Sequence, residues 1–220
     1  MKVSPGIAAS PELVIFDCDG VLVDSEPIVA RVLTEWMRDL GVRITYEECA
    51  REFVGLAQEV AAQRITDRLD GEVPTGWFDG LTAAVDAALR AQVRPVPGVA
   101  QLLERLRVPF CVASNGRPAK VDLTLSASGL ARYFDGRIFT ASQVARGKPA
   151  PDLFLLAASR MGVQPERCVV VEDSEAGVAA GLAAGMQVLR YAPDGSRTGS
   201  TEVFHSMDGL PPLLGLVTGG

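Results

Sequence analysis

The chain has 220 residues, 48% apolar and 22% charged, with a formal net charge of −6. This composition belongs to a folded globular protein with room for a full core, and nothing in it suggests disorder. With no block of lysines and arginines, an acidic chain of this kind is ill-suited to a nucleic-acid backbone, so no nucleic-acid partner is expected.

The N-terminal stretch MKVSPGIAASPE lacks the unbroken apolar centre of a signal peptide, and no apolar run approaches the roughly 18 residues of a membrane span. Cys18, Cys49, Cys111 and Cys168 are too scattered for a zinc site or a disulfide scaffold. Most lie in apolar runs, where a free thiol is a small hydrophobe. A reduced, cytoplasmic setting without membrane attachment is the expectation; oligomeric state is open.

In chain order, β-rich runs fall at Leu13–Phe16, Phe110–Ala113, Arg137–Phe139, Cys168–Val171 and Gln187–Leu189, with helical patterns between the later ones. Strand and helix in alternation predict a doubly wound, Rossmann-like parallel sheet, whose strands are apolar nearly throughout because both faces are covered. About ninety residues separate the first two strands, far more than a crossover needs. That interval reads as helices: Pro27–Leu40, a segment opened by a capping box from Thr45 to Glu48, then Ala57–Leu69 and Trp77–Ala91. The expected organisation is therefore an α/β core of residues 1–25 and 93–220, interrupted by a helical cap of residues 26–92. Residues 93–98 form the return hinge. Gly177, Gly181 and Gly185, spaced by four, predict a small-residue helix face packed closely on the sheet.

In open α/β sheets ligands bind beyond the carboxyl ends of the strands. Asp17 and Asp19 follow the first strand, Ser114 and Asn115 the second, and Glu172 and Asp173 the fourth, while Lys148 sits in the loop RGKPAP. Carboxylates this dense repel one another unless a cation lies among them, and Mg²⁺ prefers such oxygen ligands. Beside them a hydroxyl, backbone amides and a lysine suit the oxygens of a phosphate.

The segments DCDGVLVDSE, VASNG, RGKPAPDLF and VVVEDSEAGVAAG, in this order, resemble the four motifs of the haloacid dehalogenase-like superfamily over about residues 13–190. The helical insert resembles its phosphatase and β-phosphoglucomutase branch. The resemblance implies a Mg²⁺-dependent phosphatase acting on a small phosphorylated metabolite such as a sugar phosphate, a sugar-acid phosphate or phosphoglycolate. Asp17 would be the nucleophile and a metal ligand. Asp19 would be the acid and base and give its carbonyl to the metal. Asp173 would complete the ligands with Glu172 behind it, and Ser114, Asn115 and Lys148 would bind the phosphoryl group. Gly20 would let the backbone turn beneath the site. Asp24 would brace the following turn, while Ser25 and Glu26 would open the first cap helix.

Departures from the family pattern narrow the chemistry. Haloacid dehalogenases proper lack the aspartate present here as Asp19, and the Schiff-base lysine of phosphonatases has no counterpart because residues 26–92 contain no lysine. Where the mutases carry a histidine and an arginine in the cap, Val29 and Gln58 stand here. Plain hydrolysis is expected, with a mutase or a non-enzymatic ligand sensor as alternatives. Arg51 and Gln58 are the candidates for recognising the leaving group. The sole histidine, His205, lies beyond the last motif and reads as a surface or packing residue.

Overall fold

The computed structural model describes residues 10–56, 58–69, 72–196 and 201–215. Among the described residues, six strands make one parallel sheet: β1 (Leu13–Phe16), β2 (Phe110–Ser114), β3 (Ile138–Thr140), β4 (Cys168–Glu172), β5 (Gln187–Tyr191) and β6 (Glu202–Phe204), in the order β3-β2-β1-β4-β5-β6. The chain builds outward from β1 through β2 to β3, then crosses back to β4 on the other side. The direction of winding thus reverses between β1 and β4, which puts the ligand crevice of a doubly wound sheet at their carboxyl ends.

β1 and β4 are buried throughout, as continuous apolar runs require. Alternation divides their side chains between two cores. Val14 and Phe16 join the side packed by α5 (Val99–Arg105), α6 (Pro118–Ala127) and α9 (Leu210–Leu213), while Leu13 and Ile15 face α7 (Asp152–Met161) and α8 (Glu175–Ala183). The glycine face of α8 packs as expected. A Cβ on Gly181 would lie 2.7 Å from Val188 Cγ2, so only glycine admits this approach of helix to sheet, whereas Gly185, at a φ of 74°, ends the helix.

Between β1 and β2 lie α1 (Glu26–Asp39), α2 (Tyr46–Phe53), α3 (Gln58–Asp67) and α4 (Trp77–Gln92). They bury a small core of their own, formed by Leu33, Met37, Ile44, Cys49, Phe53, Ile65 and Trp77. The capping box forms: Glu48 N donates to Thr45 Oγ1 at 3.1 Å, and Thr45 N donates to Glu48 Oε2 at 2.8 Å. The two chain segments entering and leaving this helical unit pair with each other. Asp24 N donates to Arg94 O at 3.0 Å and Val96 N to Leu22 O at 2.9 Å, an antiparallel bridge around Val23 and Pro95. Among the described residues, no helix is long and apolar enough to cross a membrane.

Candidate active site

The pairing of β1 with β4 fixes the site. Phe16 lies opposite Val171, and Asp17 N donates to Val171 O at 2.9 Å, so the chain emerges from β1 beside the point where β4 delivers Glu172 and Asp173. Carboxylate oxygens of Asp17, Glu172 and Asp173 all lie within 4.8 Å of one another.

Lys148 holds this acid cluster together. Its Nζ donates to Asp17 Oδ1 at 2.5 Å and to Glu172 Oε1 at 2.7 Å, and the lysine is only 8% exposed. Burial works against its charge, yet the two carboxylates outweigh burial and raise its pKa. The other Glu172 oxygen accepts from Asp173 N, Ser174 N and Ser174 Oγ, each at 2.9 Å. Both oxygens of Glu172 are thus engaged. Among the described residues no lysine or arginine is paired with Asp173; burial first, then the charges of Asp17 and Glu172, push its carboxyl up. Asp17 is also pushed up by burial, against the pull of Lys148. A buried and a partly exposed carboxyl, both pushed up and delivered by two adjacent strand ends, fit a hard divalent cation.

Two glycines make the crowding possible. A Cβ on Gly20 would fall 2.0 Å from Asp173 Oδ2, and one on Gly177 would fall 1.7 Å from Glu172 Oε1. The loop after β1 and the start of α8 therefore lie directly on the acidic groups.

The phosphate-suited residues gather on the β2 side of the same cleft. Ser114 is buried, its Oγ accepting from Gly116 N at 3.0 Å. Asn115 lines the same cleft, and its side chain bonds the Lys148 backbone: Nδ2 donates to Lys148 O at 3.0 Å, and Oδ1 accepts from Lys148 N at 2.9 Å. Its side chain clamps the backbone that carries the lysine.

Asp19 has partners that the sequence reading missed. Lys120 Nζ donates to both its oxygens at 2.9 Å, and Ser25 Oγ donates to Oδ1. Burial would raise the Asp19 carboxyl, but Lys120 and the Ser25 hydroxyl outweigh it and hold the group below its ordinary range. Ser25 occupies the N-cap of α1 without a side-chain capping bond, because its hydroxyl is spent on Asp19. Lys120 lies in the first turn of α6, where the helix dipole disfavours a cation. An unfavourable lysine opening the helix just after Ser114 was the signal available.

Arg51 is exposed on α2, with its guanidinium 3.2 Å from Glu52, and is not part of the cleft wall. Gln58 begins α3, and its side chain lies outside the described residues. His205 bonds through Nδ1 to Ala192 O at 2.6 Å, away from the cleft.

The profile of the haloacid dehalogenase-like hydrolases matches residues 11–185. The chain belongs to this family. It is 32% identical over 188 residues to the 6-phosphogluconate phosphatase of Escherichia coli K12, covering 83% of each chain. Hexitol phosphatase A of the same organism is 33% identical over 201 residues, which is 88% of this chain and 90% of that one. Among solved structures, a haloacid dehalogenase family hydrolase from Deinococcus radiodurans, crystallised with phosphate and sodium, superposes with a TM-score of 0.80 at 34% identity, over 96% of this chain and all of that one. A putative β-phosphoglucomutase from Thermotoga maritima follows the same fold, with a TM-score of 0.75 at 25% identity over 93% of this chain and 98% of that one.

Proposed function

We propose that this phosphomonoester hydrolase of the haloacid dehalogenase-like family releases phosphate from a small phosphorylated metabolite, with Mg²⁺, through an aspartyl-phosphate. The observation that carries the reading is the convergence of Asp17, Asp173 and Lys148 at the winding reversal of the sheet. The relatives, named as phosphatases of phosphogluconate, hexitol and other phosphorylated carbohydrates, support the substrate class.

Asp17, the carbonyl of Asp19 and Asp173 would hold the ion. Glu172, with both oxygens already bonded, orients Lys148 and the start of α8. When bound, Mg²⁺ supplies the positive charge that lets phosphoryl oxygens approach an acidic pocket. A carboxylate oxygen of Asp17 attacks phosphorus as the bond to the leaving oxygen breaks, and Asp19, having taken up a proton as substrate binds, passes it to that oxygen. Water then attacks the phosphorus, Asp19 takes its proton, and cleavage of the bond to Asp17 releases inorganic phosphate. Ser114, Lys148 and the backbone amides after β2 bind the transferring group, with Asn115 fixing Lys148. Ser25 and Lys120 orient Asp19.

Residues 26–92 would act as the cap, its helices closing the cleft over residues 1–25 and 93–220 to exclude water during transfer. A mutase must hold a second phosphate on the cap side. Arg117, near that side, is bound to Asp86 at 3.0 Å, which weighs against that alternative.

The test is phosphate release from a panel of small monophosphates with and without Mg²⁺. Activity should vanish on chelation and return with the ion, and Asp17→Asn should fold normally without turnover. Full activity in the Asp17→Asn protein would remove Asp17 as nucleophile. A receptor that does not hydrolyse would bind the esters but release no phosphate.

A further inference from the structure

The catalytic groups occupy only one end of a cleft of about 640 Å³. The wall contributed by the helical unit is mostly apolar. Val29 of α1, Leu56 after α2, and Phe78, Leu81 and Val85 of α4 line it, each partly exposed. Behind them Leu33, Phe53 and Ile65 are buried, so the surface is backed by packed hydrocarbon.

Charge is distributed just as unevenly. Among the described residues, the cations lining the cleft are Arg117, Lys120 and Lys148. Each already has a carboxylate: Arg117 has Asp86 at 3.0 Å, Lys120 has Asp19 at 2.9 Å, and Lys148 has Asp17 at 2.5 Å. Glu26 lies at the start of this wall and adds a carboxyl of its own. A leaving group bearing a carboxylate would be desolvated against hydrocarbon with no counter-charge to meet it. A flat apolar ring would displace water from that same surface favourably, with the partly exposed Phe78 ring available for stacking.

We propose that the preferred ester carries an uncharged alcohol with an apolar or aromatic face and no second anionic group. The inference rests on the phosphatase reading above and sharpens it: sugar-acid phosphates and phosphoglycolate become poor substrates.

The test compares kcat/KM for benzyl phosphate and 2-phosphoglycolate, both esters of primary alcohols, with 4-nitrophenyl phosphate as a check on turnover. Benzyl phosphate should be favoured by at least about 100-fold, the size expected when a buried charge lacks a partner. Thr82→Lys, which places a cation on the same wall, should raise kcat/KM for phosphoglycolate at least about tenfold. Phe78→Ala should lower it for benzyl phosphate by a larger factor than for phosphoglycolate. Circular dichroism checks that both variants fold, and either one suffices for the comparison. Equal or better use of phosphoglycolate by the wild type overturns this inference while Mg²⁺-dependent hydrolysis stands. Failure to hydrolyse all three esters overturns the phosphatase reading and this inference with it.

Discussion

Replacing glycine by alanine inside a helix ordinarily stabilises a protein by about 0.5–1 kcal/mol, because alanine has less backbone entropy to lose. Gly177, in the first turn of α8, should do the opposite. An alanine Cβ there would sit 1.7 Å from Glu172 Oε1 and 1.9 Å from its carboxyl carbon, so that carboxyl must retreat by more than an ångström. Its bonds to Lys148 Nζ at 2.7 Å, and to Asp173 N, Ser174 N and Ser174 Oγ at 2.9 Å, do not survive such a shift. Hydrogen bonds to a charged group contribute roughly 1.5–3 kcal/mol each, so losing any two exceeds the helical gain. The expected net loss for Gly177→Ala is about 2–5 kcal/mol.

Urea titration followed by far-ultraviolet circular dichroism measures this loss as a lower midpoint at unchanged slope. Steady-state kinetics should show kcat falling about 100-fold as Lys148 loses half its anchorage. Shortening the displaced acid, as in Glu172→Asp combined with Gly177→Ala, should recover part of the stability. A single Gly177→Ala variant with a midpoint at or above the wild type would refute the steric argument.

Lys120→Met keeps the aliphatic stem but leaves Asp19 with Ser25 alone. Because the pair is only 21% and 23% exposed, thermal unfolding should show a loss of about 1–3 kcal/mol, and kcat should fall about 10- to 100-fold, with Lys120→Arg partly restoring it. Unchanged kcat in Lys120→Met would separate this lysine from the work of Asp19. The four cysteines are buried, and burial pushes the thiol of Cys111 up, and that of Cys168 up to about 11. At pH 8 both should stay protonated and react with a thiol reagent far more slowly in folded than in unfolded protein; fast labelling of either in the native state would contradict that burial.

The sheet was legible because its strands are short apolar runs, and the acid cluster because carboxylates stand directly at their ends. Strand pairing then brings Asp17 to Asp173 without any further instruction from the loops. β6 escaped notice because three residues, Glu202–Phe204, are too few for a periodic pattern. The partners of Asp19 escaped for a different reason. Lys120 reaches it across about a hundred residues of chain, by a side-chain direction set only when α6 packs beside β1. Asn115 stands in the motif as a phosphate contact, yet its amide is matched to one backbone stretch, a pairing that depends on the loop shape around Lys148. Arg51 stands in sequence as a candidate for recognising the leaving group, but the helix it sits on turns it toward Glu52 and solvent.

The hydrogen-bonded neighbours Asp24 and Arg94 mark where the helical unit departs from the sheet and where it returns. Exit and entry are so close that a tight reverse turn has the reach to join them, and the strands beneath need not shift whatever is spliced in between. Evolution can therefore exchange one crown for another on an unaltered catalytic base, as a lathe accepts different chucks. The paired ribbon has a mechanical corollary as well: two tethers bonded side by side bend across their width more readily than they twist.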